Sequence, residues 1–191
     1  MKYNPNQHHR RSIRLKGYDY ASSGAYFITI CSHQRQCLFG EIVDGEMQLS
    51  KFGEIVRSYW LNLPKYHPRL QLDAFVVMPN HIHGILVLSD IPVGAGLDNQ
   101  LVDLTNKSSA KPAPTNPTEP INHPGIPEII RRFKTFSARR INQRRKMVGT
   151  PVWQRNYYDR IIRNDEALQA IRQYVHNNPL SWQEDQLHPD V

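Results

Sequence analysis

Two histidines, His81 and His83, lie one residue apart at the start of an apolar run that continues to Leu88. Side chains at positions i and i+2 of a β-strand project to the same face, so the two imidazoles are expected to point the same way. A pair of imidazoles on one face binds a metal ion when another part of the chain supplies a third ligand. The alternative is a pair of partly solvated polar residues at a strand end, and the spacing alone leaves both interpretations open.

A second pair, Tyr174 and Asn178, lies four residues apart near the C-terminus, on one face of the last predicted helix. A metal ion held by His81, His83 and the amide oxygen of Asn178 would lie about one helical turn from the Tyr174 hydroxyl. Tyrosine is a poor nucleophile near neutral pH because its pKa is about 10, and a cation on the attacked phosphate offsets this weakness. Taken singly, Tyr174 is explained as an aromatic residue on the helix flank and Asn178 as a C-terminal cap.

The composition favours an anionic partner. The 191 residues include 24 Lys and Arg against 17 Asp and Glu, a net charge of +7. No apolar run reaches the length of about 18 residues that a membrane-spanning helix needs, and no basic helix has a broad Trp/Leu face, so we expect no membrane partner. The N-terminus also lacks the apolar core of a secretory signal. We therefore expect a cytoplasmic, nucleoid-associated protein that binds nucleic acid.

The positive charge is concentrated in two stretches, residues 2–16 and 131–163, and aromatic residues are interleaved with the second. This combination suits phosphate contacts together with base stacking on single strands, although a solvated face is the simpler alternative. From these stretches we predict the DNA-binding residues Arg10, Arg11, Arg14, Lys16, Arg131, Arg132, Lys134, Arg139, Arg140, Arg144, Arg145 and Arg155.

Hydrophobic periodicity and turn residues predict the secondary structure. The predicted elements are a strand over 25–32, a hairpin over 38–49, a helix capped by Ser50 and ended by Pro64 and Pro68, strands over 70–78 and from His81, a helix over 127–146, an extended segment over 152–162 and a last helix capped by Asn164. In the helix over 127–146, Phe136 is predicted to face inward with the isoleucines. The order predicts an α+β fold: a ferredoxin-like antiparallel sheet with helices packed on it, plus a β-hairpin.

Two regions stand apart from this pattern. Residues 1–20 are predicted to be a basic N-terminal arm, and residues 21–185 a single domain. Within that domain, residues 89–125 are rich in Pro, Ser, Thr, Asn and Gly, a composition that buries too little apolar surface to offset the entropy of ordering. We predict that this segment is a flexible insertion.

Four blocks of sequence, residues 24–30 (GAYFITI), 76–84 (VVMPNHIHG), 152–164 (VWQRNYYDRIIRN) and 171–179 (IRQYVHNNP), resemble one known family. The resemblance is to the REP-associated tyrosine transposases, the IS200-like branch of the single-tyrosine HUH transposases. It covers nearly the whole chain outside 89–125. The second and fourth blocks are the most specific.

The resemblance implies a mechanism and a set of site residues. His81 and His83 correspond to the HUH histidines that bind Mg²⁺ or Mn²⁺, Asn178 to the polar residue that completes the metal site, and Tyr174 to the nucleophile. Such an enzyme is an endonuclease and strand transferase that cleaves single-stranded DNA near a hairpin. It leaves a 5′-phosphotyrosine and a free 3′-hydroxyl, so that strands are rejoined without ATP.

The resemblance also concerns partners and other residues. The implied partner is single-stranded DNA with a REP-like palindromic hairpin, and the basic arm is expected to help read a short guide sequence beside it. Tyr157 and Tyr158 match a motif near a strand and do not correspond to the nucleophile. The chain is expected to be a monomer or a homodimer, with the last helix packed in cis or exchanged between subunits.

Two other functions remain open from the sequence. One is a domesticated DNA-hairpin-binding protein that no longer transposes or cleaves. The other is a His-X-His metallohydrolase that uses water as the nucleophile. The sequence disfavours the hydrolase because Asp73 and Asp90, which flank the strands, have no useful spacing as additional ligands.

Overall fold

The computed structural model describes Leu15, residues 17–90 and residues 124–189. Its elements are β1 (Gly24–Cys31), β2 (Gly40–Val43), β3 (Glu46–Leu49), α1 (Lys51–Leu61), α2 (Leu63–Tyr66), β4 (Leu70–Val77), β5 (His81–Leu88), α3 (Ile126–Arg145), β6 (Tyr158–Ile162) and α4 (Asp165–Asn177). The predicted arm and insertion lie mostly outside the described residues, so their limits remain predictions. Of the helices in the described ranges, none has both the length and the apolar character needed to cross a membrane.

Four of the strands form one antiparallel sheet in the order β4-β5-β1-β6, and β2 and β3 form a separate hairpin. If only these four strands are numbered along the chain, their order in the sheet is 2-3-1-4. The third strand therefore lies between the first and the second. The first two are joined through α1, and the last two through α3. This is the arrangement of a ferredoxin-like fold, so the predicted α+β class is confirmed.

The sheet separates two hydrophobic layers because successive side chains of a strand point to opposite faces. Ile28 and Ile82 belong to the larger core, which is completed by α1 and α3. Phe27 and Ile85 belong to the smaller core, where they pack against Ile171 and the rest of α4. His81 and His83 have the same parity as Ile85, and they therefore lie on the α4 face.

The large core depends on a close approach between α1 and β5. Ser50 begins α1 by accepting hydrogen bonds from the amides of Phe52 and Gly53, both at 3.1 Å. Trp60 is then fully buried against Gly84, where an added Cβ would overlap the indole ring. The glycine that follows the two histidines is thus required for packing on the opposite face of their strand.

The structure corrects two details of the helices. Pro64 was predicted to end the first helix, but it lies in the first turn of α2. N–H groups in the first turn make no hydrogen bond within the helix, so proline is tolerated there. Phe136 was predicted to face inward, but its side chain is 49% exposed. The small Ser137 occupies the buried position instead because the indole of Trp153 fills the space beside α3.

The buried contact between Ser137 and Trp153 gives a stability prediction. The indole Nε1–H donates to the Ser137 hydroxyl at 3.0 Å, and both side chains are buried. Ser137→Ala leaves this donor without a partner, and we expect the free energy of unfolding to fall by about 1–3 kcal/mol. Urea unfolding measures the change, with Thr135→Ala, an exposed substitution one half-turn away, as the control. Equal stability of the two variants would contradict the prediction.

Candidate metal and nucleophile site

The two histidines of β5 lie side by side beneath α4. Both are buried, and their Nε2 atoms are 3.0 Å apart. The side chains of His81 and His83 therefore point the same way, as the sequence predicts. Their position at the start of β5, where the chain turns from β4 through Pro79 and Asn80, brings both imidazoles to one end of the sheet.

A neighbouring polar group fixes the orientation of each ring. The Nδ1 atom of His81 is 2.7 Å from Asn80 Oδ1, and that of His83 is 2.8 Å from Thr29 Oγ1. The Asn80 amide nitrogen donates to the carbonyl oxygens of Arg35 and Leu187, so its Oδ1 is the acceptor and His81 Nδ1 carries the proton. Metal-binding histidines are commonly held in this way, with the other nitrogen left as the ligand.

Burial keeps both imidazoles neutral. It lowers the pKa of His81 to about 4, although the nearby Asp185 carboxylate acts in the opposite direction. Burial also lowers the pKa of His83 well below its usual range, and His81 adds to this effect. The neutral form is the one that binds a metal ion. With Nδ1 protonated, the His81 Nε2 lone pair points into the site, where a cation is the natural partner.

Two oxygen-bearing side chains complete the group. Asp185 follows a short 3₁₀ turn after α4, and its carboxylate oxygen Oδ2 is 3.8 Å from His81 Nε2. The ligand atoms of His81, His83 and Asp185 all lie within 4.8 Å of one another. Asn178 donates to Asp185 Oδ2 at 3.3 Å, while its own Oδ1 is buried without a hydrogen-bond partner.

This donor set fits a hard or borderline divalent cation. Buried polar atoms almost always have a partner, so the Oδ1 of Asn178, which has no hydrogen-bond partner, is suited to bind a cation beside the histidines. Two imidazoles, one carboxylate and one amide oxygen are ligand types that suit Mn²⁺ and, through the oxygens, Mg²⁺. The predicted residues His81, His83 and Asn178 are brought together, and Asp185 joins them.

Tyr174 projects from α4 onto the histidine pair. Its hydroxyl is 3.2 Å from His83 Nε2, and the residue is 48% exposed and lines an open cleft. Burial raises the pKa of the Tyr174 hydroxyl, the charge of Asp185 raises it further, and a contact with Asn178 lowers it. The phenol is therefore protonated near neutral pH, and its oxygen lies within hydrogen-bond distance of His83 Nε2.

Asp185 was not among the predicted site residues. It lies more than one hundred positions from His81 in the sequence, in a short turn with no metal-ligand spacing of its own. Its placement depends on the chain reversing after Asn178-Pro179 and on Asn80, which holds the backbone carbonyl of Leu187. The objection that the sequence lacks an additional acidic ligand therefore no longer holds.

An ion pair joins α4 to strand β4 of the sheet on which the helix packs. Arg172 Nε and Nη2 donate to the two carboxylate oxygens of Asp73 at 2.9 and 2.6 Å. Asp73 lies where the β4–β5 register shifts, between Leu72 and Phe75, which directs its side chain toward α4. Because Arg172 is two residues before Tyr174, this pair fixes the height of Tyr174 over the histidines.

We expect Asp73→Asn to lower both the stability and the rate of any reaction at Tyr174. Hydrogen bonding from Arg172 lowers the pKa of the Asp73 carboxyl below its usual range. The stabilisation is therefore present above the unfolded-state pKa of about 4 and is lost as the pH falls through the lower folded-state value. Urea unfolding at pH 7 and near pH 3 checks the sign. Glu54→Gln, which removes the exposed ion pair with Arg57, is the control. A difference in unfolding free energy between wild type and Asp73→Asn that does not shrink in acid would contradict the prediction.

The predicted DNA-binding residues divide into three groups. Arg10, Arg11, Arg14 and Lys16 lie outside the described residues. Those of α3 lie on the helix layer opposite the histidine site, and Arg131 and Arg132 there share the carboxylate of Glu128. Arg155 is exposed in the segment that leads to β6.

Two further residues of the predicted set, Lys134 and Arg145, hold other parts of the chain in place. The ammonium of Lys134 donates to the carbonyl oxygens of Gln154, Arg155 and Asn156, and burial lowers its pKa to about 8. Arg145 donates to Asn142 Oδ1 and to the carbonyl oxygens that follow α3. These contacts give both residues a structural role that is independent of DNA.

Comparison with known proteins agrees with this architecture. The family model described as "Transposase IS200 like" matches residues 120–178, which contain α3, β6, α4, Tyr174 and Asn178. An uncharacterized protein of Haemophilus influenzae is 41% identical over 192 residues, which cover 99% of this chain and 98% of that protein.

A solved structure has the same fold. It is a REP-associated tyrosine transposase bound to a REP hairpin, and it superposes with a TM-score of 0.56 over 90% of this chain and 74% of that one, at 17% identity. The resemblance found in the sequence is therefore confirmed. The chain carries an IS200-like transposase domain over residues 120–178.

Proposed function

We propose that the protein is a metal-dependent transposase that cleaves and rejoins single-stranded DNA near hairpins through a 5′-phosphotyrosine. The observation that supports this most directly is the Tyr174 hydroxyl 3.2 Å from His83 Nε2, at the rim of a four-residue donor set. A tyrosine with a structural role alone would not need to place its hydroxyl beside two neutral histidines at the lining of a cleft. The transposase domain makes DNA the substrate to test first.

In this proposal, His81, His83, Asn178 and Asp185 would hold Mg²⁺ or Mn²⁺. A divalent cation bound there would supply charge that polarises a phosphodiester and stabilises the leaving oxygen. The chain itself contributes the rigid placement of its ligands, since Asn80 and Thr29 fix the two imidazole rings.

The remaining chemistry belongs to Tyr174. Its oxygen forms a bond to the phosphorus of the scissile phosphodiester while the bond from phosphorus to the 3′-oxygen breaks. The phenolic proton is released, and the 3′-oxygen takes up a proton. The number of phosphoester bonds is conserved, so that attack by a 3′-hydroxyl reverses the reaction and joins strands without ATP. The Asp73–Arg172 pair keeps the nucleophile over the site during both steps.

Hairpin DNA is the proposed partner. The solved transposase of the same fold is bound to a REP hairpin, and this chain offers exposed arginines on α3 for a similar contact with phosphates. We propose that α3 contacts the hairpin and that the protein works in the cytoplasm, at the nucleoid. We propose a monomer or a homodimer, two states that sedimentation velocity distinguishes.

The basic face of α3 gives a prediction about salt. Arg139, Arg140 and Arg144 are exposed, and we expect the triple variant to glutamine to flatten the dependence of log affinity on log salt concentration. Each lost phosphate contact reduces the slope by about 0.9 on duplex DNA and about 0.7 on single strands. Fluorescence anisotropy with a hairpin oligonucleotide measures this slope. Arg145 is left unchanged because it supports the chain after α3.

The control for the salt experiment is a triple variant with the same loss of charge on α1 and α2, Lys51→Gln, Arg57→Gln and Lys65→Gln. If both triple variants change the slope equally, net charge alone is responsible. An unchanged slope in the α3 variant would assign that helix to a solvated face.

The proposed function is tested by incubating the protein with Mn²⁺ and a hairpin oligonucleotide that carries an unpaired flank. We expect a covalent protein–DNA adduct that survives denaturing electrophoresis, together with a released fragment that ends in a 3′-hydroxyl. Binding without cleavage would instead support the domesticated hairpin-binding protein. Cleavage without an adduct would support the metallohydrolase, which Asp185 makes a real second candidate because it supplies the extra acidic ligand.

A further inference from the structure

A cleft of about 900 Å³ extends from the histidine site across the sheet to β6. Besides the histidine site itself, its floor includes Phe27 of β1 and its far end includes Tyr158 and Arg160 of β6. Neither Tyr158 nor Arg160 has a part in the metal site or in the nucleophilic step. Both are exposed.

The strand register aligns these residues with the reaction site. Thr29 pairs with His83 on one side and with Tyr158 on the other, so these three residues form a row across β5, β1 and β6. Two strand spacings separate the ends of the row, roughly 10 Å. Phe27 and Arg160 pair in the next row on the same face. Tyr158 and Arg160 therefore line one edge of the cleft on the face that carries Tyr174.

The ring of Tyr158 is a free aromatic platform. It contacts Phe27 edge-on, with ring centroids 6.5 Å apart and an interplanar angle of 69°, and the side chain is 50% exposed. Phe27 in turn stacks on His83 and meets the Tyr174 ring edge-on. A series of ring contacts through the buried Phe27 thus connects Tyr174 with Tyr158. Exposed aromatic rings of this kind stack unpaired bases.

The charges of the cleft are divided between its two ends. Glu184 and Asp185 lie at the metal end, whereas Arg160 lies at the β6 end. Among the ion pairs of the described residues, none involves Arg160. Asp159, its neighbour in the strand, projects to the other face of the sheet. The guanidinium is therefore available to bind a phosphate.

We propose that Tyr158 and Arg160 form a subsite for one unpaired nucleotide next to the scissile phosphate, with its base stacked on Tyr158 and its phosphate bound by Arg160. The proposal rests on the proposed function, because it takes the cleft as the path of a single strand. It adds a nucleotide-binding role for β6, the edge strand of the sheet. It also explains why an aromatic side chain and an arginine lie exposed there, two residues apart.

The test is a binding measurement with an abasic scan. Single-stranded oligonucleotides in which one unpaired position at a time lacks its base are titrated with wild-type protein, Tyr158→Ala and Tyr158→Phe. We expect Tyr158→Ala to bind the intact strand about tenfold more weakly and Tyr158→Phe to bind it normally, because stacking needs the ring and not the hydroxyl. At one position, the abasic change should weaken binding of the wild type and leave Tyr158→Ala unaffected.

The role of Arg160 is tested by repeating the binding measurement at several salt concentrations. Arg160→Gln should lower the slope of log affinity against log salt by about 0.7, the value for one phosphate contact on a single strand. Arg57→Gln, on the opposite helix layer, is the control of equal charge and should leave the slope unchanged. Thermal unfolding of each variant verifies that the fold is intact.

The outcomes separate the two proposals. If the wild type binds the strand and forms the adduct while Tyr158→Ala gives the same affinity and abasic profile, the subsite is refuted and the proposed function stands. If the wild type neither binds single strands nor forms an adduct, both are refuted. A position-specific loss of the abasic effect in Tyr158→Ala supports the subsite.

Discussion

Tyr174→Phe is expected to abolish the covalent protein–DNA adduct completely while leaving the fold and the binding of DNA intact. The substitution removes one oxygen, and that oxygen is the proposed nucleophile. The ring keeps its edge-on contacts with Phe27 and His83, with centroids 6.0 and 5.1 Å away, so that α4 stays in place. Within the site, the hydroxyl contacts His83 Nε2 and Asn178, and the loss of these contacts is small beside the loss of the reacting atom.

Tyr157→Phe and Tyr158→Phe are the matched controls, since each removes the same hydroxyl from the same cleft. Both variants should form the adduct. Mass spectrometry of peptides from the trapped complex should locate the modification on Tyr174. Recovery of the nucleotide on Tyr157 or Tyr158, or an adduct that persists in Tyr174→Phe, would contradict the mechanism.

Local patterns were enough to predict the framework of the site. The alternation in β5 set the common direction of His81 and His83, and the four-residue spacing in α4 put Tyr174 and Asn178 on one face. The order of the elements was enough to identify the ferredoxin-like sheet. These properties depend on interactions between neighbours in the sequence, which a single chain records directly.

The properties that the sequence did not predict depend on contacts between distant segments. Asp185 reaches the histidines only because the chain after α4 folds back over Asn80. Phe136 fits the helical period, yet Ser137 is buried because Trp153 comes to that point from another segment. Lys134 is positioned by three carbonyl oxygens some twenty residues away, a contact that its charge alone did not suggest.

The two faces of the sheet have different proposed tasks. The exposed arginines of α3 lie on one helix layer, and Tyr174 lies on the other. A hairpin bound along α3 would have to send its unpaired flank around an edge of the sheet to reach Tyr174. The edge at β6 carries Tyr158 and Arg160, so the proposed subsite lies on that route. The opposite edge, β4, is covered on the α4 face by the Asp73–Arg172 pair.

His83→Ala is expected to abolish metal-dependent cleavage and to weaken Mn²⁺ binding by more than about 100-fold. Loss of a residue that merely supports a ligand typically lowers metal affinity about 10- to 100-fold, so the loss of a ligand should exceed this range. His81→Ala should have the same effect. Hairpin binding should change little in both, since the imidazoles are buried beneath α4 and do not face solvent.

Graded variants distinguish a metal site from a site that needs the histidines only for packing. Thr29→Val removes the hydroxyl beside His83 Nδ1 and should weaken Mn²⁺ binding about 10- to 100-fold, less than the loss of a ligand. Asp185→Asn keeps the shape of the side chain but removes its charge, and it should also weaken Mn²⁺ binding. Titration of Mn²⁺ followed by electron paramagnetic resonance measures all four variants. Wild-type affinity in His83→Ala and Asp185→Asn together would show that the cation is bound elsewhere.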